Sequence, residues 1–259
     1  MKVAVLYEPR HIELEDRDKP SISSPNEVLV EVRNVGICHS DVHYYVHGRI
    51  GDFVVREPLI LGHECSGVVV EKGGAVRHLE VGDRVIIEPA APCRTCFYCK
   101  IGRYNLCENL KFMGTPPTDG AFSEYVTWPA DFVYKMPSDM SFEEGALIEP
   151  FSVALYSVRR SGLLPGSRVA ILGAGTIGLM TLMAARECGA TEIFITDIVD
   201  RKLKLAEELG AKAAINAKEE DPVKTITYLT DGKGPDVVFD AVGLESTFNQ
   251  ALKMVRVGG

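Results

Sequence analysis

Through residues 1–150 the apolar positions fall in short runs broken by glycine and proline: VAVLY, EVLVEVRNVGIC, CSGVVVEKGG, DRVIIEPA and FSEYVTW. Runs this short, rich in Val and Ile, predict β-strands, and no helical period runs long there. From about Phe151 the texture changes. Strand-like RVAIL, EIFITD, AAIN and DVVFDAV alternate with helix-like TIGLMTLMAAREC and RKLKLAEELG. Repeated βα predicts a parallel sheet with helices on both faces. The helix RKLKLAEELG is expected to stop at Gly210 through a left-handed cap. The chain therefore reads as α/β, with a mainly-β domain over residues 1–151 and a doubly wound domain over residues 152–259. The boundary falls near Pro150, and there is no internal repeat.

Composition narrows the class. With 259 residues, 46% of them apolar, the chain has material for two cores. Its 36 acidic against 28 basic residues give a net charge of −8, and no Lys/Arg block interrupts the excess. A phosphate backbone would be repelled, so nucleic acid is not an expected partner. The opening MKVAVLYEPRHIELED reaches charged residues too soon for a secretory core or a membrane span. A cytoplasmic protein without a membrane partner is the expectation. Seven cysteines, four of them within 93–107, point in a reducing compartment to metal rather than to disulfides.

Those four, Cys93, Cys96, Cys99 and Cys107, are spaced C-x2-C-x2-C-x7-C. That spacing lets four thiolates converge on one tetrahedral Zn²⁺, a closed and hence structural site in a lobe of about residues 89–110. A second group is spread along the chain. Cys38 ends the run VGIC, and His63 with Glu64 follows PLILG. A thiolate and an imidazole need a third protein ligand, and either Glu64 or the distant Glu149 in LIEPFSV can supply it. Such a mixed set leaves one position open for water or substrate.

The third motif follows a strand and opens a helix. Gly173, Gly175 and Gly178 form GAGTIG around Thr176 and Ile177, and Asp197 ends the next strand nineteen residues past the last glycine. The glycines give a tight turn, room for a pyrophosphate, and close approach of helix to strand. Asp197 can accept from both ribose hydroxyls and would repel a 2′-phosphate, which favours NAD over NADP. Lys202 lies where it could lean toward the adenosine, or stand solvated on its helix. Cys65 and Cys188 read as small core residues.

In this order, the three motifs resemble the medium-chain zinc alcohol dehydrogenases over the whole chain. GICHSDVHYYVHGRIGDFVV, PLILGHE, TPPTDGAF at 115–122 and EEGALIEPFSV carry the likeness, and within the family they resemble the polyol branch of sorbitol dehydrogenases. The resemblance implies a GroES-like catalytic domain, then a Rossmann domain. It implies two Zn²⁺ per chain, NAD as cofactor, a small-molecule secondary alcohol such as sorbitol as substrate, and a homotetramer or homodimer. Threonine, xylitol, galactitol or butanediol are the alternative substrates. A zinc-stabilised NAD-binding protein without turnover is the non-enzymatic alternative, and it would be expected to have lost Cys38, His63 or Ser40. By resemblance Cys38, His63 and Glu64 match zinc ligands, and Glu149 matches a carboxylate that binds the metal directly or through its water. Ser40 matches the hydroxyl that relays the substrate proton, with His43 continuing the relay or touching the cofactor ribose. Tyr44, Phe112 and Thr115 match the polyol pocket. His39 departs from the glycine common in that branch.

The end at VRVGG falls where a βα unit should turn into its next strand. The expectation is a Rossmann domain lacking its last strands, with the fourth strand left as an edge.

Overall fold

The computed structural model describes residues 1–259 and contains two compact units, Met1–Glu149 and Pro150–Gly259. In the first, a five-stranded antiparallel sheet runs in the order Tyr125–Pro129, Glu27–Gly36, Glu64–Lys72, Arg84–Ile87, Val133–Lys135. Its core gathers Val28, Val30, Val69, Leu79, Val85, Trp128 and Phe132, with Cys65 among them. A smaller sheet joins His11–Asp16, Lys2–Glu8 and Leu59–Ile60. One register positions the chemistry: Gly36 pairs with Glu64 and Val35 with Cys65. Because the strands are antiparallel, the residues just after the first and just before the second meet at one end of the sheet. Those residues are Cys38 and His63.

The sequence expectation of no long helix here needs correcting. Residues His39–His47 form a nine-residue helix. It closes at Gly48, whose φ of 68° is left-handed and whose N–H donates to the Tyr44 carbonyl. Only Asp41 and Tyr44 of this helix are buried, one of them charged, so no apolar period betrays it. The strand expected from Phe122 begins at Tyr125, because Phe122 packs instead among the small-sheet residues Val3, Val5 and Ile60. A helix Ile148–Arg160 carries Glu149 in its first turn.

The second unit holds a parallel sheet in the order Ala213–Asn216, Glu192–Asp197, Arg168–Leu172, Val237–Asp240. In chain order that is 3-2-1-4, the first four positions of a dinucleotide-binding sheet. Both faces are covered, which is why RVAIL is continuously apolar rather than alternating. Val169 and Ile171 pack with Leu182 and Ala185 on one side. Ala170 and Leu172 pack with Phe194, Ile226 and Met254 on the other. Gly210 has the left-handed φ, 101°, that its place after Asp200–Glu208 requires. Val237–Asp240 has one bonded neighbour and is a sheet edge.

Candidate functional site

At the sheet end, ligand atoms of Cys38, His63 and Glu64 lie within 4.8 Å of one another. A single buried acid organises them. Asp41, 3% exposed, accepts the Cys38 N–H through Oδ2 at 2.9 Å and the Gly62 N–H through Oδ1 at 3.0 Å. The same Oδ1 is 3.7 Å from His63 Nδ1. Asp41 thus ties the helix start to the turn before His63 and stands behind the ring, leaving Nε2 as the nitrogen for a metal. The edge of Phe112 packs on the His63 ring, centroids 5.4 Å apart. Glu64 passes so close over Gly36 that a Cβ there would lie on its Oε2.

The electrostatics of this group are one-sided. Burial raises the Cys38 thiol and the Glu64 carboxyl above their ordinary values, although a hydrogen bond from Ser40 lowers the thiol and His63 lowers the acid. Burial pushes Glu149 up to about 7; His63 opposes the shift, and Glu64 and Asp41 add to it. The His63 ring opposes the rise of both acids. A thiol, an imidazole and a carboxylate whose ligand atoms lie within 4.8 Å of one another are donors that Zn²⁺ takes: the donor set fits zinc.

The second cluster is the expected foursome. Sulfur atoms of Cys93, Cys96, Cys99 and Cys107 lie within 4.8 Å of one another, with Cys96 to Cys99 at 3.5 Å and Cys93 to Cys99 at 4.0 Å. Tetrahedral Zn–S bonds near 2.3 Å put sulfurs about 3.8 Å apart. Backbone N–H groups of Cys93 and Cys96 donate to the Cys107 and Cys93 sulfurs at 3.2 and 3.4 Å. None of the seven cysteines is in a disulfide. Arg94 of the lobe reaches the turn Ala130–Phe132 that joins two strands of the sheet, its Nη2 donating to both Asp131 oxygens at 2.7 Å.

In the second unit each fingerprint glycine has a measurable reason. Gly173 adopts φ 97°. A Cβ on Gly178 would lie 1.8 Å from the Gly173 carbonyl oxygen, whereas one on Gly175 would meet nothing within 4 Å. Gly175 is the N-cap of Thr176–Glu187 and supplies no side-chain cap, so the space above it and the first-turn N–H groups suit a pyrophosphate. Asp197 has a second task that sequence reasoning missed. Its Oδ2 accepts the Ala174 N–H at 2.8 Å, and its Oδ1 accepts those of Ile198 and Val199 at 2.8 and 3.0 Å. Lys202 sits 3.8 Å from Asp197 Oδ2, paired with the acid rather than simply solvated.

The remaining candidates divide. Tyr44, 3% exposed, is packed among Leu6, Leu59 and Leu61, and its hydroxyl is bonded to Thr115. Ser40 is hydrogen-bonded to Cys38. His43 stands exposed on the helix, its ring 4.6 Å from that of His47. Asp41 is the residue that sequence reasoning overlooked; an acid three residues after a helix N-cap is its only trace.

Family comparisons agree with this geometry. The alcohol dehydrogenase GroES-like domain matches residues 24–138, and the zinc-binding dehydrogenase family matches residues 176–259. The chain is 46% identical over 259 residues to the sorbitol dehydrogenase of Bacillus subtilis, covering all of this chain and 73% of that protein. Among solved structures, it is similar to an Escherichia coli oxidoreductase of unknown specificity involved in membrane biogenesis. There the TM-score is 0.95 and the identity 40%, with all of this chain and 75% of that one covered. A zinc-binding dehydrogenase of Sinorhizobium meliloti bound to NADP gives TM-score 0.92 and 36% identity, covering all of this chain and 74% of that one. The chain belongs to the zinc-binding alcohol dehydrogenase family. It is an oxidoreductase of the medium-chain class, with a small-molecule alcohol as substrate. No helix is long and apolar enough to cross a membrane.

Proposed function

We propose that this protein oxidises a secondary alcohol of the polyol class, sorbitol or a near analogue, with NAD as acceptor and two Zn²⁺ per chain. The observation that carries the reading is the trio Cys38, His63 and Glu64 organised by Asp41, with Glu149 in the same buried field. Residues 1–151 form the zinc-binding catalytic domain in this reading, and residues 152–259 the NAD-binding domain. Cys38, His63 and Glu64 hold the catalytic ion, with Glu149 reaching it or its water. Cys93, Cys96, Cys99 and Cys107 hold the structural one. A polyol substrate is supported by the likeness to a sorbitol dehydrogenase and by a carboxylate at Glu149.

Bound there, zinc supplies a Lewis acid for the carbinol oxygen, and NAD the hydride acceptor. The chain's own residues do the rest. Ser40 Oγ takes the hydroxyl proton and passes it outward, with His43 as next acceptor. Asp41 fixes the orientation of His63. Phe112 shields one side of that ring from water. Thr115 offers a hydroxyl to the polyol chain, and Tyr44, buried among Leu6, Leu59 and Leu61 rather than lining the pocket as the resemblance implied, backs Thr115. In the other domain, the open space over Gly175 and the N–H groups of Thr176, Ile177 and Gly178 receive the pyrophosphate. Asp197 receives the ribose hydroxyls with lone pairs left over from its three backbone bonds, and Lys202 flanks it. The acid's charge supports NAD over NADP.

The test is NADH formation across sorbitol, xylitol, galactitol, 2,3-butanediol, threonine and ethanol. A kcat/KM for sorbitol or xylitol at least tenfold above that for ethanol and threonine is expected. A preference for threonine or ethanol would overturn the polyol assignment.

A further inference from the structure

The helix that carries Ser40 presents three histidines at i, i+4 and i+8: His39, His43 and His47. Residues four apart share one face of a helix, and all three are exposed. The zinc trio uses none of them, and only His43 has a part in the proton path proposed above. His39 and His47 have none.

Their spacing is not uniform in consequence. The His43 and His47 rings approach to 4.6 Å between centroids, tilted by 52°. With metal–nitrogen bonds of about 2.1 Å, two imidazoles bound cis at a right angle put their ring centres about 4.5 Å apart. Right-angled nitrogen pairs suit the tetragonal ions Cu²⁺ and Ni²⁺. The helix itself selects the same pair. His47 is the last helical residue before the Gly48 cap, so the pair lies at the negative end of the peptide dipoles, where a cation is favoured. His39 is the first residue of the helix, at the positive end, where a cation is disfavoured. Two exposed rings also leave the other coordination positions to water.

We propose that His43 and His47 form a surface site for a divalent transition metal of the Cu²⁺/Ni²⁺ type, separate from both zinc sites, and that loading it withdraws His43 from the proton path. The second half rests on the relay role proposed for His43; the first does not.

The experiment uses tag-free, zinc-replete protein titrated with Ni²⁺, reading nickel and zinc by elemental analysis after gel filtration. Affinity is read by calorimetry. One Ni²⁺ per chain should be taken up with zinc content unchanged. His47→Asn should weaken uptake by more than the about tenfold that loss of an outer-shell partner alone costs, and His39→Asn by less than about twofold. His47→Gln repeats the test, and both His47 variants should keep wild-type turnover without nickel. Equal affinity in wild type and both His47 variants, or nickel entering only as zinc leaves, overturns the site. Nickel should inhibit turnover of wild type and spare His47→Asn. Uptake at the pair with undiminished turnover overturns the second half and takes His43 out of the relay, while the metal site stands.

Discussion

Gly175 and Gly178 sit three residues apart in one turn, and replacing each by alanine should give opposite results. At Gly178 the new Cβ would lie 1.8 Å from the Gly173 carbonyl oxygen, well inside any contact distance. The helix Thr176–Glu187 must then move off the strand Arg168–Leu172. Overpacking of this kind costs about 1–3 kcal/mol, and both partners here are backbone, so the upper end applies. At Gly175 the Cβ meets nothing within 4 Å, and the backbone, φ −76° and ψ −173°, is open to any residue. Restricting the unfolded chain gains about 0.4–1 kcal/mol, while alanine is a poorer N-cap than glycine by a similar amount, so the net is near zero. Yet the methyl occupies space assigned to the pyrophosphate. Gly175→Ala should fold with a Tm close to wild type and bind NAD at least about tenfold more weakly, roughly 1.4 kcal/mol. Gly178→Ala should lose several degrees, at about 2–4 °C per kcal/mol for a chain of this size. Calorimetry for NAD binding and thermal unfolding by circular dichroism read both. Undiminished NAD binding by Gly175→Ala, or a Gly178→Ala protein as stable as wild type, would refute the reasoning.

Asp197→Ala should act twice. It leaves the buried Ala174 N–H without its acceptor, at about 1–3 kcal/mol, and it lowers the NAD-over-NADP ratio of kcat/KM; an unchanged ratio would show that Asp197 is not the ribose acid. Ser40→Ala should lower kcat by about 10²–10⁴ with NAD affinity retained, and wild-type kcat would move proton transfer elsewhere. Undialysed protein should carry two zinc ions per chain, falling to one in Cys96→Ser; one ion in wild type would remove one of the two assignments. In metal-stripped protein, Glu149, pushed up to about 7, binds its proton more tightly folded than unfolded, so its contribution is present below pH 4.5 and is lost as pH rises toward 7. Urea unfolding should show stability falling across that window by on the order of 3 kcal/mol, and a Glu149→Gln protein with the same slope would refute the assignment.

What was legible in the sequence follows from what each element buries. Arg168–Leu172 is covered on both faces, so its apolar run announces it. The βα repeat announces a parallel sheet, while its order 3-2-1-4 is what the dinucleotide fingerprint, rather than the repeat alone, leads one to expect. The helix His39–His47 was invisible because its buried pair is Asp41 and Tyr44, one charged and one half-polar, and because a charged residue inside a protein leaves no hydrophobic signature. With the helix hidden, Asp41 was given no role. Metal spacing was readable in the lobe, where four cysteines lie within fifteen residues. Cys38 and His63 read as one site from their residue types and from the resemblance; the Gly36–Glu64 register that brings them together is what no sequence motif shows. Asp197 was assigned one partner class because a sequence motif names a ligand and not the backbone donors that the same carboxylate satisfies.

Burial and charge both bear on the choice between Glu64 and Glu149 that the motif leaves open. Glu64 begins a strand whose register carries it over Gly36 to the Cys38 sulfur, and its ligand atoms fall within the trio. Glu149 enters from the first turn of a separate helix, and burial, with the fields of Glu64 and Asp41 added, pushes it up to about 7. A thiolate and a carboxylate side by side in a buried site call for a cation, because each uncompensated charge costs several kcal/mol. A dication offsets two of those charges. The Asp41 charge is already spent on two backbone N–H groups and His63, and Cys38 with Glu64 are the anions nearest one another. Pushed up to about 7, Glu149 is under the proposed function the acid that would exchange a proton with a hydroxyl-bearing substrate near neutrality.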